Sequence, residues 1–97
     1  MPTYITLYRY TQQGVSSMKD GPKRLEAGRK AFEAVGGKLK DFYLVMGSYD
    51  FVAIIEAPDD AAVAKASLRI ASFGAVSSET LRAFSEDEYR SIVSGLA

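Results

Sequence analysis

An α+β domain built on one four-stranded antiparallel sheet is predicted by three features of this sequence. Four short runs rich in β-branched and aromatic residues are spread along the chain, at residues 3 to 10, 38 to 46, 49 to 57 and 76 to 84. Apolar stripes at helical spacing separate the first run from the second and the third from the fourth. The second and third runs are joined at Gly47-Ser48, too short a link for anything but an antiparallel hairpin. That hairpin, Phe42 to Ala57, is the expected spine of the sheet.

The first strand, Thr3 to Tyr10, alternates, with Ile5 and Leu7 on one face and Tyr4, Thr6, Tyr8 and Tyr10 on the other. Neither face is polar. An exposed sheet face does not normally present three tyrosines, so the tyrosine side is expected to meet a partner subunit or a bound small molecule. Thr11 to Lys19 reads as a connection carrying Gly14 and one helical turn. Asp20-Gly21-Pro22 then opens a helix, because proline at the first helical position forfeits no intrahelical hydrogen bond. Leu25, Gly28, Phe32 and Val35 make its packing stripe, Gly28 implies a close approach to the sheet, and Gly36-Gly37 ends it. Lys23, Arg24, Arg29 and Lys30 fall outside that stripe and read as solvated surface.

In the second strand Leu39, Tyr43 and Val45 share one face and Phe42, Leu44 and Met46 the other; in the third, Phe51, Ala53 and Ile55 oppose Val52 and Ile54. Pro58-Asp59-Asp60 starts the next helix, with acids where the helix dipole favours them. Val63, Ala66, Ile70 and Phe73 line it, Leu68 broadens the stripe, and Gly74 stops it. The fourth strand, Val76 to Phe84, sets Leu81 and Ala83 against Thr80, Arg82 and Phe84. A Ser85-x-x-Glu88 capping box then precedes Tyr89, Ile92, Val93 and Leu96, a terminal helical stripe. Strand, helix, strand, strand, helix, strand is the ferredoxin-like βαββαβ order, here with a C-terminal helix. It places the first and third strands in the centre, the fourth beside the first and the second beside the third. Tyr8, Asp50 and Arg82 are thereby expected to approach one another. Both sheet faces are apolar, yet the helices suffice for one; the second cover is expected from another copy.

At 97 residues the chain is one domain, 1 to 97, and 47% hydrophobic composition gives it a core. A domain so small gains stability from association. No apolar run approaches the ~18 residues of a membrane span, and the N-terminus lacks the order of a secretory signal, so a soluble cytoplasmic protein is expected. The chain has no cysteine and no histidine. Thiol chemistry, His-based nucleophile pairs, nitrogen or sulphur zinc sites and His-ligated haem are therefore closed to it. No cofactor and no metal is expected. Net charge is zero, but residues 1 to 40 carry eight Lys or Arg against three acids, and residues 41 to 97 carry four against nine. We read these as oppositely charged solvated faces rather than a nucleic-acid surface, since a nucleic-acid binder is usually net basic.

Gln13-Gly14, Arg24, Gly36-Gly37, Phe42-Tyr43, Gly47 with Tyr49-Asp50, Glu56-Ala57-Pro58-Asp59, Gly74 and Thr80 to Phe84 occur in an order that resembles the GYD domain family. The signature is written here as Gly-x-Tyr-Asp, with Ser48 inserted. The resemblance spans nearly the whole chain and implies a dimeric α+β barrel type of assembly, in which two ferredoxin-like sheets face each other. That wider group includes monooxygenases, isomerases, haem-processing enzymes and amino-acid-sensing regulatory domains; the GYD family itself brings no established activity.

Candidate ligand-binding or interface residues are Tyr4, Tyr8, Tyr10, Tyr49, Asp50 and Arg82. For each, a structural role stands beside the functional one. Asp50 after the turn suits either a hairpin-fixing acceptor of backbone N–H groups or an acid, base or ligand anchor. The tyrosines suit packing as well as ligand stacking. Arg82, aimed at a partner-covered face, needs a counter-ion, supplied by Asp50, Glu56 or an anionic ligand. The expected function is a small oligomeric small-molecule-binding or regulatory module. A cofactor-independent enzyme, monooxygenase-like or isomerase-like on a small aromatic or carbonyl substrate, is the alternative, and a purely structural oligomeric module a third. The expected partners are further copies of the chain and a small-molecule ligand, with no nucleic acid and no membrane.

Overall fold

Four strands pair into one antiparallel sheet in the order β2-β3-β1-β4, where β1 is Thr3–Tyr10, β2 Lys38–Leu44, β3 Phe51–Glu56 and β4 Val76–Ala83. The architecture comes from a computed structural model that describes residues 1–96; Ala97, the last residue of the expected domain, lies outside them. Between the strands run α1 (Gln12–Ser16), a 3₁₀ turn at Met18–Asp20, α2 (Gly21–Glu33) and α3 (Asp60–Ser72), and α4 (Glu86–Ser94) closes the chain. The ferredoxin-like order and the predicted strand neighbours are both observed. No helix among the described residues is long and apolar enough to cross a membrane.

Local signals act where the sequence places them. Thr11 caps α1, Asp59 caps α3 by accepting from the Ala62 N–H at 2.8 Å, and Ser85 and Glu88 form the capping box of α4. Gly36, Gly47 and Gly74 take positive φ at the two helix ends and the hairpin turn. Leu68 departs from expectation: it is 73% exposed, on the outer side of α3 rather than in its packing stripe.

The core lies between one face of the sheet and the helices α2 and α3. Phe32 and Ile55 are fully buried there, with Ala31, Ala53, Val63 and Ala66 around them. The covered face of β1 is the tyrosine face. Tyr4 and Tyr8 are 3% and 8% exposed and pack beneath the chain's own helices, so they do not present themselves to a partner subunit. The physical reason is that each ring adds apolar bulk to the helix-covered core while its phenol keeps a polar tip. The Tyr4 hydroxyl uses that tip to donate to Asp60 Oδ1 at the start of α3.

In β2 the strict alternation fails at Lys40. The register slips between Leu39, opposite Ile55, and Asp41, opposite Ile54. This bulge rotates Leu39 onto the same face as Phe42, which stands opposite Ala53, where the period-two reading put them on opposite faces. Both side chains thereby reach the helix side.

The other sheet face carries no helix. Paired rows run Asp41, Ile54, Ile5, Leu81 and Tyr43, Val52, Leu7, Glu79 across it. Tyr43 and Leu81 are exposed and the four central aliphatics half-buried. Every described residue of α4 is also exposed, including Tyr89, Ile92 and Val93 of its apolar stripe.

Candidate functional site

A cavity of about 280 Å³ opens between the covered sheet face and the helices. Its floor comes from Tyr8, Tyr10, Phe42, Phe51 and Val76 of the sheet, and its roof from Leu25, Gly28 and Phe32 of α2 with Ile70 of α3. Met18 and Phe73 close the flanks. The size sits close to the lower end, ~300 Å³, of pockets that hold small ligands. The sheet's aromatic residues stiffen the floor: Phe51 stacks on Phe42 at 5.1 Å between centroids and meets the edge of Tyr10 at the same distance. The bulge matters here, because it turns Leu39 to the same cavity wall.

Gly28 does not touch the sheet as its place in the stripe implied. A methyl group added there would meet only Ile70 Cδ1 at 3.7 Å, an ordinary contact. The missing side chain therefore leaves space in the cavity roof instead of relieving a clash. On the floor, the Tyr8 phenol is pushed up to about 12 by burial, against a smaller downward pull from the Thr6 hydroxyl. It stays protonated at neutral pH and retains a proton to donate.

Arg24 is the residue that sequence reasoning missed. It lines the cavity from α2, with Nη1 donating to the Ser17 carbonyl at 3.0 Å and to Ser17 Oγ at 3.2 Å. Its Nη2 is buried without a hydrogen-bond partner. An unpaired buried donor of this kind costs about 1–3 kcal/mol, and more where the group is charged. The signal was present in the spacing, since Arg24, Gly28 and Phe32 repeat at four and share one side of the helix. Its place outside the stripe of Leu25, Gly28, Phe32 and Val35 is what made it read as solvated surface.

The six expected site residues are distributed over four places. Tyr8 and Tyr10 line the cavity. Tyr4 lies further along β1, opposite Arg82, and its hydroxyl is pushed up to about 12, first by burial and then by its bond to Asp60 and that carboxylate's charge. Asp50 sits at the hairpin end, where Oδ2 accepts from the Tyr10 N–H at 2.8 Å while its own N–H donates to the Tyr8 carbonyl at 2.8 Å. Tyr49 stands on the open side beneath Arg9, whose guanidinium carbon is 4.6 Å from the ring centroid.

Asp50 and Arg82 do not meet. Register pairs Tyr8 with Ser78 and Tyr4 with Arg82, so of the expected trio Tyr8 and Asp50 adjoin while Arg82 lies four residues of strand away. Arg82 has no carboxylate within ion-pair distance among the described residues. It donates to the Thr3 and Ala83 carbonyls and lies over the Phe84 ring, 4.4 Å from its centroid, so backbone oxygens and a π face replace the expected counter-ion.

Such a lining suits a small molecule held by packing and oriented by a few polar groups. The cavity offers apolar area, one guanidinium and two tyrosine rings, and no carboxylate among the described residues that line it. Known proteins share both the sequence pattern and the fold. The family model of the GYD domain matches residues 4–93. A Thermus thermophilus protein described as glutamine synthetase and cystathionine beta-lyase binding protein is 39% identical over 84 residues, which is 86% of this chain and 88% of that one. A crystal structure of a Thermus thermophilus protein superposes with a TM-score of 0.57 at 26% identity, over 88% of this chain and 95% of that one. A feast or famine regulatory protein from M. tuberculosis, solved with L-methionine, shares the fold with a TM-score of 0.63 at 19% identity; the match covers 90% of this chain but only 54% of that one, so the chain spans about half its length.

Proposed function

Since the chain belongs to the GYD domain family, we propose that it is a binding module that works as a homo-oligomer and takes a small molecule in the cavity between sheet and helices. One observation carries the reading. A domain of 97 residues has little interior to spare, yet here a space of about 280 Å³ is kept open inside a wall of aromatic and aliphatic side chains. An apolar cleft left unfilled forfeits dispersion contacts that a molecule of matching shape restores.

The test is native mass spectrometry of gently purified protein, followed by fragment screening with amide chemical shifts as the readout. The expected result is an oligomer, with resonances of Leu25, Phe32, Phe51 and Ile70 moving together as fragments enter. A monomer overturns the shared assembly, and a screen in which no fragment moves those residues overturns the pocket.

A second reading is favoured by one finding, the description of the 39% identical relative as a protein that binds two enzymes. In that reading the exposed Tyr89, Ile92 and Val93 of α4 are the docking surface. Co-elution of the purified chain with glutamine synthetase or cystathionine β-lyase from the same organism is the expected outcome, and separate elution at micromolar concentrations of both overturns it.

A further inference from the structure

The geometry points to a small apolar carboxylate as the molecule the cavity takes, its acid group held by the guanidinium of Arg24. This inference rests on the pocket reading above and adds the ligand's charge and shape to it. Arg24 is the only charged side chain among the described residues that line the cavity, and no acid lies within ion-pair distance of it there. Its guanidinium is half-committed: Nη1 is anchored on Ser17, and Nη2 is buried with nothing to donate to. An arginine cannot discard its proton to escape this situation, as a lysine can. The unmet requirement is therefore for an acceptor, and a negatively charged one satisfies both the donor and the charge.

The rest of the lining narrows the class. One cation balances one negative charge, which suits a carboxylate better than a doubly charged phosphate monoester. The remaining walls, Leu25, Phe32, Phe42, Phe51 and Ile70 among them, match a hydrocarbon or single-ring body. Ser17 holds the guanidinium from the connection before α2, so the cation is positioned before a ligand arrives and little ordering is needed on binding.

The probe pair is 3-phenylpropanoate and its neutral near-isostere 3-phenylpropanamide, titrated at pH 7 into the wild-type protein and into Arg24→Met, by calorimetry with amide chemical shifts in parallel. The acid is expected to bind the wild type at least tenfold more tightly than the amide, and R24M to bring the acid down to the amide's level while leaving the amide unchanged. Equal affinities for the two in the wild type overturn the carboxylate class and leave the pocket reading standing. A preference for acid that persists in R24M overturns the assignment to Arg24. If neither compound moves the cavity resonances, both the inference and the pocket reading fall. The wild-type pair alone decides the ligand class, so the outcome stands even where R24M fails to fold.

Discussion

Tyr8 and Asp50 show how one residue position can carry fold and site together. Asp50 ties its carboxylate to the Tyr10 N–H and its own N–H to the Tyr8 carbonyl, so the hairpin end is clamped to the same stretch of β1 that supplies two cavity residues. Burial of the phenol adds a pH dependence. The folded state holds the Tyr8 proton up to about pH 12, whereas the unfolded chain releases it near 10, so this stabilisation is complete below pH 10 and is lost as the pH rises toward 12. Urea midpoints measured from pH 8 to 11.5 are expected to fall less steeply in Tyr8→Phe than in the wild type, the difference reaching at most about 1.4 kcal/mol per pH unit. Identical slopes would mean that the phenol is not held neutral by the fold. At this scale the sequence was partly legible. The position of Asp50 at a turn and the presence of a tyrosine face were readable, because both depend on neighbours in the chain. Which face is covered was not readable, since both looked apolar; spacing set Arg24 on the side of α2 that carries Gly28 and Phe32, but its tether to Ser17 and the void beside it are features that no local pattern encodes.

Elements were more legible than residues, because capping, helix stops and hairpin formation are settled within a few positions of the chain. The capping box of α4 and the order of strands follow from such short-range rules. The bulge at Lys40 escaped because a period-two pattern contains no mark for an inserted residue; Leu39 and Phe42 both face the helices only once β3 is beside them. The segment between β1 and α2 illustrates a second long-range condition. α1 lies against the residues that lead into β4, with the Thr11 N–H donating to the Ala75 carbonyl at 3.0 Å and Gln13 Nε2 donating to the Phe73 carbonyl at 3.2 Å. Gly14 permits that approach: a Cβ at this position would stand 2.0 Å from the Ala75 carbonyl oxygen and 2.9 Å from Tyr10 Cδ1. The first of these is backbone and cannot swing aside. Gly14→Ala is therefore expected to lower stability by roughly 2–4 kcal/mol, the range of severe steric and overpacking changes. Gly28→Ala, whose new methyl group meets only Ile70 at 3.7 Å, is expected to be neutral or stabilising by about 0.5–1 kcal/mol from helix propensity. Chemical denaturation of the pair checks both, and equal effects would show that the α1 contact is not tight.

The whole molecule exposes two apolar surfaces that a small domain does not ordinarily leave in water, the uncovered sheet face and the stripe of α4. Their compositions differ in a way that bears on assembly. The sheet face has an aliphatic centre, Ile5, Leu7, Val52 and Ile54, with Asp41 and Glu79 at two of its corners and Tyr43 and Leu81 at the other two, so charge is confined to the margin of an apolar patch. The stripe of α4 is narrower and belongs to a helix that buries none of its residues, stabilised locally by its capping box and the Glu86–Arg90 pair. A nine-residue helix is marginal in water on such local terms alone, so α4 is the second surface at which the proposed assembly could be held. A charge placed in the centre of the sheet face separates the two surfaces. Ile54→Glu puts a carboxylate opposite Ile5, where an assembled sheet pair would bury it without a partner; desolvating it would cost several kcal/mol. In a monomer the same side chain would reach solvent at small cost. Sedimentation velocity of I54E is therefore expected to give a folded monomer where the wild type sediments as an oligomer. A variant that still sediments as the wild type does would move the interface off the sheet and onto α4, where truncation of Tyr89, Ile92 and Val93 to alanine would then be the change that dissociates it.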